Sequence, residues 1–234
     1  MTLAIMQPYI FPYLGYFQLV QAVDKFVFYD DVNFIKQGWI NRNNILLNGS
    51  PHLFTIPLEK QSPNNLINEV FINASLYKRW KEKFYKTLEQ AYVKAPYYKP
   101  VLKLVKGTLE TPASGIGDLA KNTVISICGY LGMETEFLWS SSVYQNNDLK
   151  SAARVLDICE KEKASRYINA IGGQDLYDKM EFKANGIELS FLKSELVSYP
   201  QFKKEFVPYL SIIDVLMFNN SEMVSGHLES YKLI

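Results

Sequence analysis

The side chains able to do chemistry gather in four short stretches of the chain. The first is Gln7-Pro8-Tyr9-Ile10-Phe11-Pro12-Tyr13-Leu14-Gly15-Tyr16. Two prolines and Gly15 fix a tight turn, while Gln7, Tyr9, Tyr13 and Tyr16 bring hydrogen-bonding tips. A helix starting here aims free N–H groups and a partial positive charge at a phosphate or carboxylate. The competing reading is a rigid turn that packs its aromatic rings on a sheet.

The second stretch is Asp30-Asp31, at the carboxyl end of the β-forming run Lys25–Asp31. A carboxylate there can deprotonate an attacking amine, hold Mg²⁺ or accept sugar hydroxyls. In extended backbone the two side chains point to opposite faces, so at most one enters a given pocket. A capped turn with two solvated carboxylates is the alternative. The third stretch is Lys36-Gln37-Gly38-Trp39-Ile40-Asn41-Arg42-Asn43. Trp39 offers a platform for a sugar or base, and Arg42 grips a phosphate bidentately. Lys36 and Arg42 are read as the strong cations near the first turn. In a strand, Trp39, Asn41 and Asn43 share one face and Arg42 takes the other, as an ordinary amphipathic hairpin also requires. The fourth is Gly172-Gly173-Gln174-Asp175, whose tight turn exposes backbone N–H groups to an anion. Simple loop geometry explains it equally well.

Several chemistries are disfavoured. Cys128, Cys159, His52 and His227 share no ligand-pair spacing, so no metal site is expected, and the cysteines read as two buried thiols. No P-loop or GxSxG pattern occurs, and Gly115-Ile116-Gly117 follows no strand. With 25 Lys+Arg against 24 Asp+Glu, the net charge of +1 argues against binding a nucleic-acid duplex. Hydrophobic residues at 48% and charged residues at 21% exclude global disorder. No apolar run reaches the roughly 18 residues of a membrane span. The amino terminus lacks a basic start and apolar run, so a cytoplasmic protein is expected.

Positioning those four stretches falls to alternating strands and helices. Leu3–Gln7 reads as a strand, a helix begins near Pro12 or Tyr13, and Lys25–Asp31 is a second strand, which together make a βαβ unit. Trp39–Leu47 and His52–Leu58 form a hairpin around Asn48-Gly49, a dipeptide that tolerates positive φ. Ile67–Ile72 reads as a further strand. Helices follow over Leu76–Tyr92, Tyr97–Leu109 and Gly117–Leu131, a helical insertion over residues 75–132. The remainder reads as strand Thr135–Trp139, helix Leu149–Lys163, strand Arg166–Ile171, helix Gln174–Ala184, strand Ile187–Phe191 and a final helix within 208–219. The expected fold is α/β and Rossmann-like. A mainly parallel twisted sheet is flanked by helices, with a β-hairpin excursion and the helical insertion, all within one domain of residues 1–234. Such sheets bind ligands at the carboxyl ends of their strands, here Gln7–Tyr16, Asp30–Asn33, Ser140–Tyr144 and Asn169–Gly173.

Gln7–Leu19, Asp24–Val32 and Trp39–Asn43 together resemble the WbqC-like family, and the likeness continues in Lys94–Tyr98, Gly172-Gly173 with Tyr177, and Leu210–Asp214. It departs before Gly172, where Asn169-Ala170-Ile171 stands in place of Ser-Gly. The resemblance implies a role in bacterial O-antigen or surface-polysaccharide synthesis and, from one branch, glycine transfer to an amino sugar. On that basis the expected activity is a transferase placing a glycyl or other acyl group on an amino sugar, itself nucleotide-linked. Asp30 or Asp31 serves as base, and Tyr16 and its turn meet the developing oxyanion. Gln7, Tyr9, Tyr13, Gly15, Lys36, Trp39, Asn41, Arg42, Asn43, Gly172 and Gly173 bind substrate. The acyl group is activated by ATP or arrives on an aminoacyl donor. The expected partner is a small molecule, an amino sugar or nucleotide sugar, and a homodimer stays open. By fold-level analogy, the Pro-Tyr-Leu-Gly-Tyr turn is similar to the His-x-Gly-His turn of nucleotidyl transferases, with Tyr13 and Tyr16 in place of the histidines. Two alternatives follow: another sugar-nucleotide- or ATP-binding enzyme on a nucleotidyl-transferase-like fold, and a non-catalytic partner of polysaccharide-biosynthesis enzymes.

Overall fold

The computed structural model describes residues 1–234 except 61, 63, 203 and 204. The chain opens with β1 (Thr2–Met6), α1 (Leu14–Gln21) and β2 (Lys25–Phe28). The two strands pair in parallel from Leu3↔Lys25 to Met6↔Phe28. A hairpin of β3 (Arg42–Leu47) and β4 (Ser50–Thr55) then forms a separate two-stranded sheet. Asn48 and Gly49 both take positive φ, 54° and 79°, as a two-residue hairpin turn demands. Helices α2 (Ala74–Tyr92), α3 (Tyr98–Glu110) and α4 (Ile116–Leu131) make up the insertion. Asn73 caps α2 by accepting the Leu76 N–H at 3.1 Å, and Gly132 ends α4 at φ 70°, the usual polar start and left-handed stop of a helix. The chain continues with β5 (Glu136–Leu138), α5 (Ser151–Lys161), β6 (Arg166–Ala170), α6 (Lys179–Ala184) and β7 (Glu188–Ser194). It closes with α7 (Ile212–Phe218), α8 (Ser221–Leu228) and β8 (Tyr231–Leu233).

The main sheet has six strands in the order β5-β2-β1-β6-β7-β8. All pairs are parallel except β7 with β8. The connection from β1 runs one way along the sheet, to β2, and the connection from β6 runs the other, to β7. These crossovers diverge between β1 and β6, and that is where open α/β sheets hold ligands.

Period-two alternation divides the core. Ala4, Phe26 and Phe28 face α1, α4 and the carboxyl-terminal helices, whereas Leu3, Ile5 and Val27 face α5 and α6.

Three expected elements differ. Ile67–Ile72 is a 3₁₀ turn over Ile67–Glu69 flanked by single bridges, Leu58↔Ile72 and Phe71↔Gly115, because the run finds no strand to ladder with. The helix expected over 174–184 is split into a 3₁₀ turn, Ile171–Leu176, and α6, whose cap is Asp178. At the carboxyl end, Asn220 starts a new helix by accepting the Met223 N–H at 2.8 Å, and β8 then adds an antiparallel edge strand.

Candidate functional site

The turn Gln7–Tyr13 bends sharply because Phe11, fully buried, takes φ 40°, in the left-handed region. A bulky residue holds that conformation only when its surroundings impose it. The clamps come from three distant segments. Asn43 donates through Nδ2 to the carbonyls of Phe11 at 2.8 Å and Ile10 at 3.3 Å. Ser211 Oγ donates to the Phe11 carbonyl at 2.7 Å, and the Phe11 N–H donates to Thr123 Oγ1 at 3.0 Å. The Ile10 N–H closes on the Trp39 carbonyl at 3.2 Å.

These contacts sort the sequence-derived residues by place. Asn41 and Asn43 are buried and donate their amides to backbone carbonyls, Asn41 to that of Ile56 at 3.1 Å. Tyr16 is buried behind the turn and donates its hydroxyl to the Gln7 carbonyl at 3.0 Å. Burial, with Tyr9 and Cys128 nearby, pushes that hydroxyl's pKa well up, so it stays a neutral donor. Tyr9 and Tyr13 are partly exposed, with hydroxyls also raised by burial. Tyr13 and Gly15 line a small crevice with Ser194 and Tyr209, beyond the carboxyl end of β7. Gly15 lets the Tyr13 ring lie close there, since a Cβ would stand 2.5 Å from it. Arg42 turns back to donate to the Gly38 carbonyl at 3.2 Å and to that of Gln37, with its guanidinium 6.0 Å from the Trp39 ring centre. Trp39 is 44% exposed and Lys36 is exposed.

Asp30 and Asp31 follow β2 at the carboxyl edge, and the alternation of the strand continues through them. Asp30 faces α4, where Lys121 Nζ meets its Oδ2 at 2.6 Å, and both side chains are 1% exposed. Its Oδ1 accepts from Ser140 Oγ at 2.6 Å. Asp31 faces α5, where Arg154 Nη2 meets Oδ2 at 2.5 Å and Ser141 Oγ donates to Oδ1. The cations that pair with these carboxylates are therefore Lys121 and Arg154, not Lys36 and Arg42 of the third stretch. Their signal is a positive charge on an apolar helix stripe. Lys121 shares its face of α4 with Gly117, Val124 and Cys128, and Arg154 sits one turn before Ile158. Each cation also lies near an aromatic ring, Lys121 at Trp139 (4.9 Å) and Arg154 at Tyr29 (4.8 Å), within cation–π reach. Helix α4 ties the two halves together, since Lys121 holds Asp30 while Thr123 holds Phe11.

On the far side of β1, Gly172-Gly173 sits in the 3₁₀ turn after β6. Asn169 lies over Gly173 so closely that a Cβ there would overlap its Nδ2. Among the described residues no group of three or more His, Cys, Asp or Glu is arranged to hold a metal ion. Cys128 and Cys159 are buried free thiols, pushed up to about 12 by burial. No described helix is long and apolar enough to cross a membrane.

The profile of the WbqC-like protein family matches residues 7–225, from the clamped turn into α8. The chain belongs to the WbqC-like family. A relative from Mycobacterium tuberculosis (strain ATCC 25618 / H37Rv), the uncharacterized protein Rv1507c, is 29% identical over 219 residues, covering 92% of each chain. No solved structure matches. For this WbqC-like chain the match begins at Gln7, so the turn, both carboxylate pairs and the Gly172-Gly173 turn all lie inside the family region.

Proposed function

We propose that this protein is a transferase that places a glycyl or other acyl group on an amino sugar carried by a nucleotide, in the synthesis of a surface polysaccharide. The observation that supports this reading is positional. The clamped Gln7–Tyr16 turn, the Asp30–Ser140 contact and the Gly172-Gly173 turn all stand at the carboxyl ends of adjacent strands, around the point where the crossovers diverge. Family membership supports the polysaccharide context.

In this reading protons must move as the amine attacks, and the carboxylate that serves this is Asp30, which faces the acceptor through Ser140 Oγ. Asp31, closed off by Arg154 and Ser141, fixes the edge instead of reacting. Tyr16 supports the turn from behind. Gln7, Tyr9 and the Gly172-Gly173 backbone hold the sugar nucleotide. The start of α1, where Tyr13 provides no side-chain cap, favours its anionic part. Such a reaction uses sugar nucleotides and activated acyl donors made in the cytoplasm, and the acyl group arrives through ATP activation or on an aminoacyl donor.

Thermal unfolding in the presence of UDP- and dTDP-linked amino sugars tests the assignment. Binding at a hundredfold excess over Kd stabilises the native state by about 2.7 kcal/mol, which raises Tm by several degrees. Gly173→Ala and Tyr9→Ala reduce that shift. The same melting curve with every sugar nucleotide would reject the proposal.

A further inference from the structure

Asp30 can reach a ligand only through another group. Its carboxylate is 1% exposed, one oxygen is held by Lys121 at 2.6 Å and the other by Ser140 Oγ at 2.6 Å. Ser140 is partly exposed, whereas Asp30 and Lys121 are closed over beside Trp139. The arrangement is a hydroxyl at the surface, a carboxylate behind it, and a cation fixing the carboxylate. A nucleophile, a base and an orienting group follow the same order.

A comparison within the molecule sharpens the point. Ser141 Oγ, Asp31 and Arg154 repeat the chain on the opposite face of the sheet. There the serine is fully buried and its hydroxyl also accepts the Asp30 N–H at 3.2 Å, so that arm is closed. Only the Ser140 arm opens. Ser140 Oγ also accepts the Ser142 N–H at 3.2 Å and shares a 2.8 Å contact with Ser142 Oγ. Negative charge developing on Ser140 Oγ therefore meets a fixed backbone donor.

We infer that Ser140 is a nucleophile of this site, activated by Asp30 and acylated before the acceptor amine reacts. The inference rests on the acyl-transfer reading above and adds a covalent intermediate to it. Ser140 Oγ adds to the carbonyl carbon of an acyl thioester while its proton passes to Asp30 Oδ1. The C–S bond breaks, and the thiolate leaves with the electron pair while the proton stays on Asp30. The acceptor amine then adds to the acyl–serine carbonyl. Asp30 returns its proton to Oγ as the C–Oγ bond breaks, and the N–H proton of the amine passes through solvent to the released thiolate, which forms the amide and restores the hydroxyl. Lys121 acts as a positioning residue, since it holds Asp30 and touches neither acyl group nor amine.

A fluorophosphonate probe tests this without any knowledge of the substrate. Oγ forms a bond to phosphorus, fluoride leaves, and the proton goes to Asp30. Peptide mass spectrometry after labelling of the intact protein is expected to find the phosphonyl group on Ser140. Ser142→Ala keeps that label. Asp30→Asn combined with Lys121→Met, which leaves no lone buried charge, slows it about a hundredfold. A wild-type protein labelled at Ser140 no faster than at Ser142 overturns the inference, whatever the variants do. So does an unchanged rate in a double variant that still melts cooperatively. Neither result touches the sugar-nucleotide melting test. A labelled Ser140 without any sugar-nucleotide shift would instead keep the nucleophile and remove the proposed acceptor.

Discussion

Asp30 and Asp31 are bonded neighbours whose carboxylates meet cations on opposite faces of one sheet, Lys121 at 2.6 Å and Arg154 at 2.5 Å. Strand alternation requires this, because Phe28 and Asp30 fall on the α4 side while Val27 and Asp31 fall on the α5 side. Each face therefore neutralises its own buried carboxylate at the edge where substrate is expected.

Removing one member of such a pair should cost more than removing both. Arg154→Met leaves Asp31 buried without its cation, an effect of about 3–5 kcal/mol. Asp31→Asn with Arg154→Met is expected to recover a large part of that loss. Urea unfolding of the two variants measures the difference, and equal midpoints would contradict it.

The clamp on Phe11 is shared between Asn43 and Ser211, which both donate to its carbonyl at 2.8 Å and 2.7 Å. Either one replaced by alanine leaves the other in place and costs about 1 kcal/mol. Replacing both leaves a buried carbonyl without these donors, so the double variant should lose more than the sum by at least ~0.5 kcal/mol. Strict additivity in denaturant midpoints would show that the two do not act on one carbonyl.

Asp214 is a buried carboxylate of a different kind. It accepts from Tyr92 at 2.8 Å, Tyr199 at 2.7 Å and Gln201 at 2.7 Å, with no cation partner among the described residues. Burial raises its pKa, and those three hydrogen bonds offset only part of the effect. Above the ordinary carboxylate value of about 4, the unfolded chain has lost this proton while the folded chain keeps it. Its contribution to stability therefore falls as pH rises toward the raised pKa, at up to about 1.4 kcal/mol per unit, and is flat beyond. Unfolding of wild type and Asp214→Asn between pH 4 and 7 isolates this slope. Parallel curves would remove Asp214 as its source.

At the β6 end, Gly173→Ala forces the Asn169 amide away, because the new Cβ overlaps Nδ2. The move breaks the bond from the Ala170 N–H to Asn169 Oδ1, 2.9 Å long, and costs about 1 kcal/mol. Gly172→Ala meets nothing within 4 Å and should be near neutral. Similar melting temperatures for the two alanine variants would count against this account.

Local signals carry much of the architecture. The β1–α1–β2 unit, the Asn48-Gly49 turn and the Gly132 stop lie close to where propensity and turn chemistry put them. Ile67–Ile72 departs from its strand-like composition because the apolar run packs inward with no partner strand beside it, a fact of tertiary context. β8 spans only three residues and owes its pairing to the edge of β7, so nothing local marks it. For the site, the turn and the carboxylates are visible in the sequence, but their partners are not. Lys121 lies 91 positions from Asp30, and Arg154 lies 123 from Asp31. A cation on an apolar stripe says that a buried anion exists without saying which one. Alternation puts Asn41 and Asn43 on one face but does not say what they meet, and each ends on a backbone carbonyl.

The hairpin shares no ladder with the main sheet, yet it is where Asn43 reaches the Phe11 carbonyl. Grafting experiments between relatives should respect this coupling. A chimera that exchanges residues 42–55 alone inherits a hand shaped for someone else's wrist, whereas one that exchanges them together with residues 7–16 moves the joint as a unit.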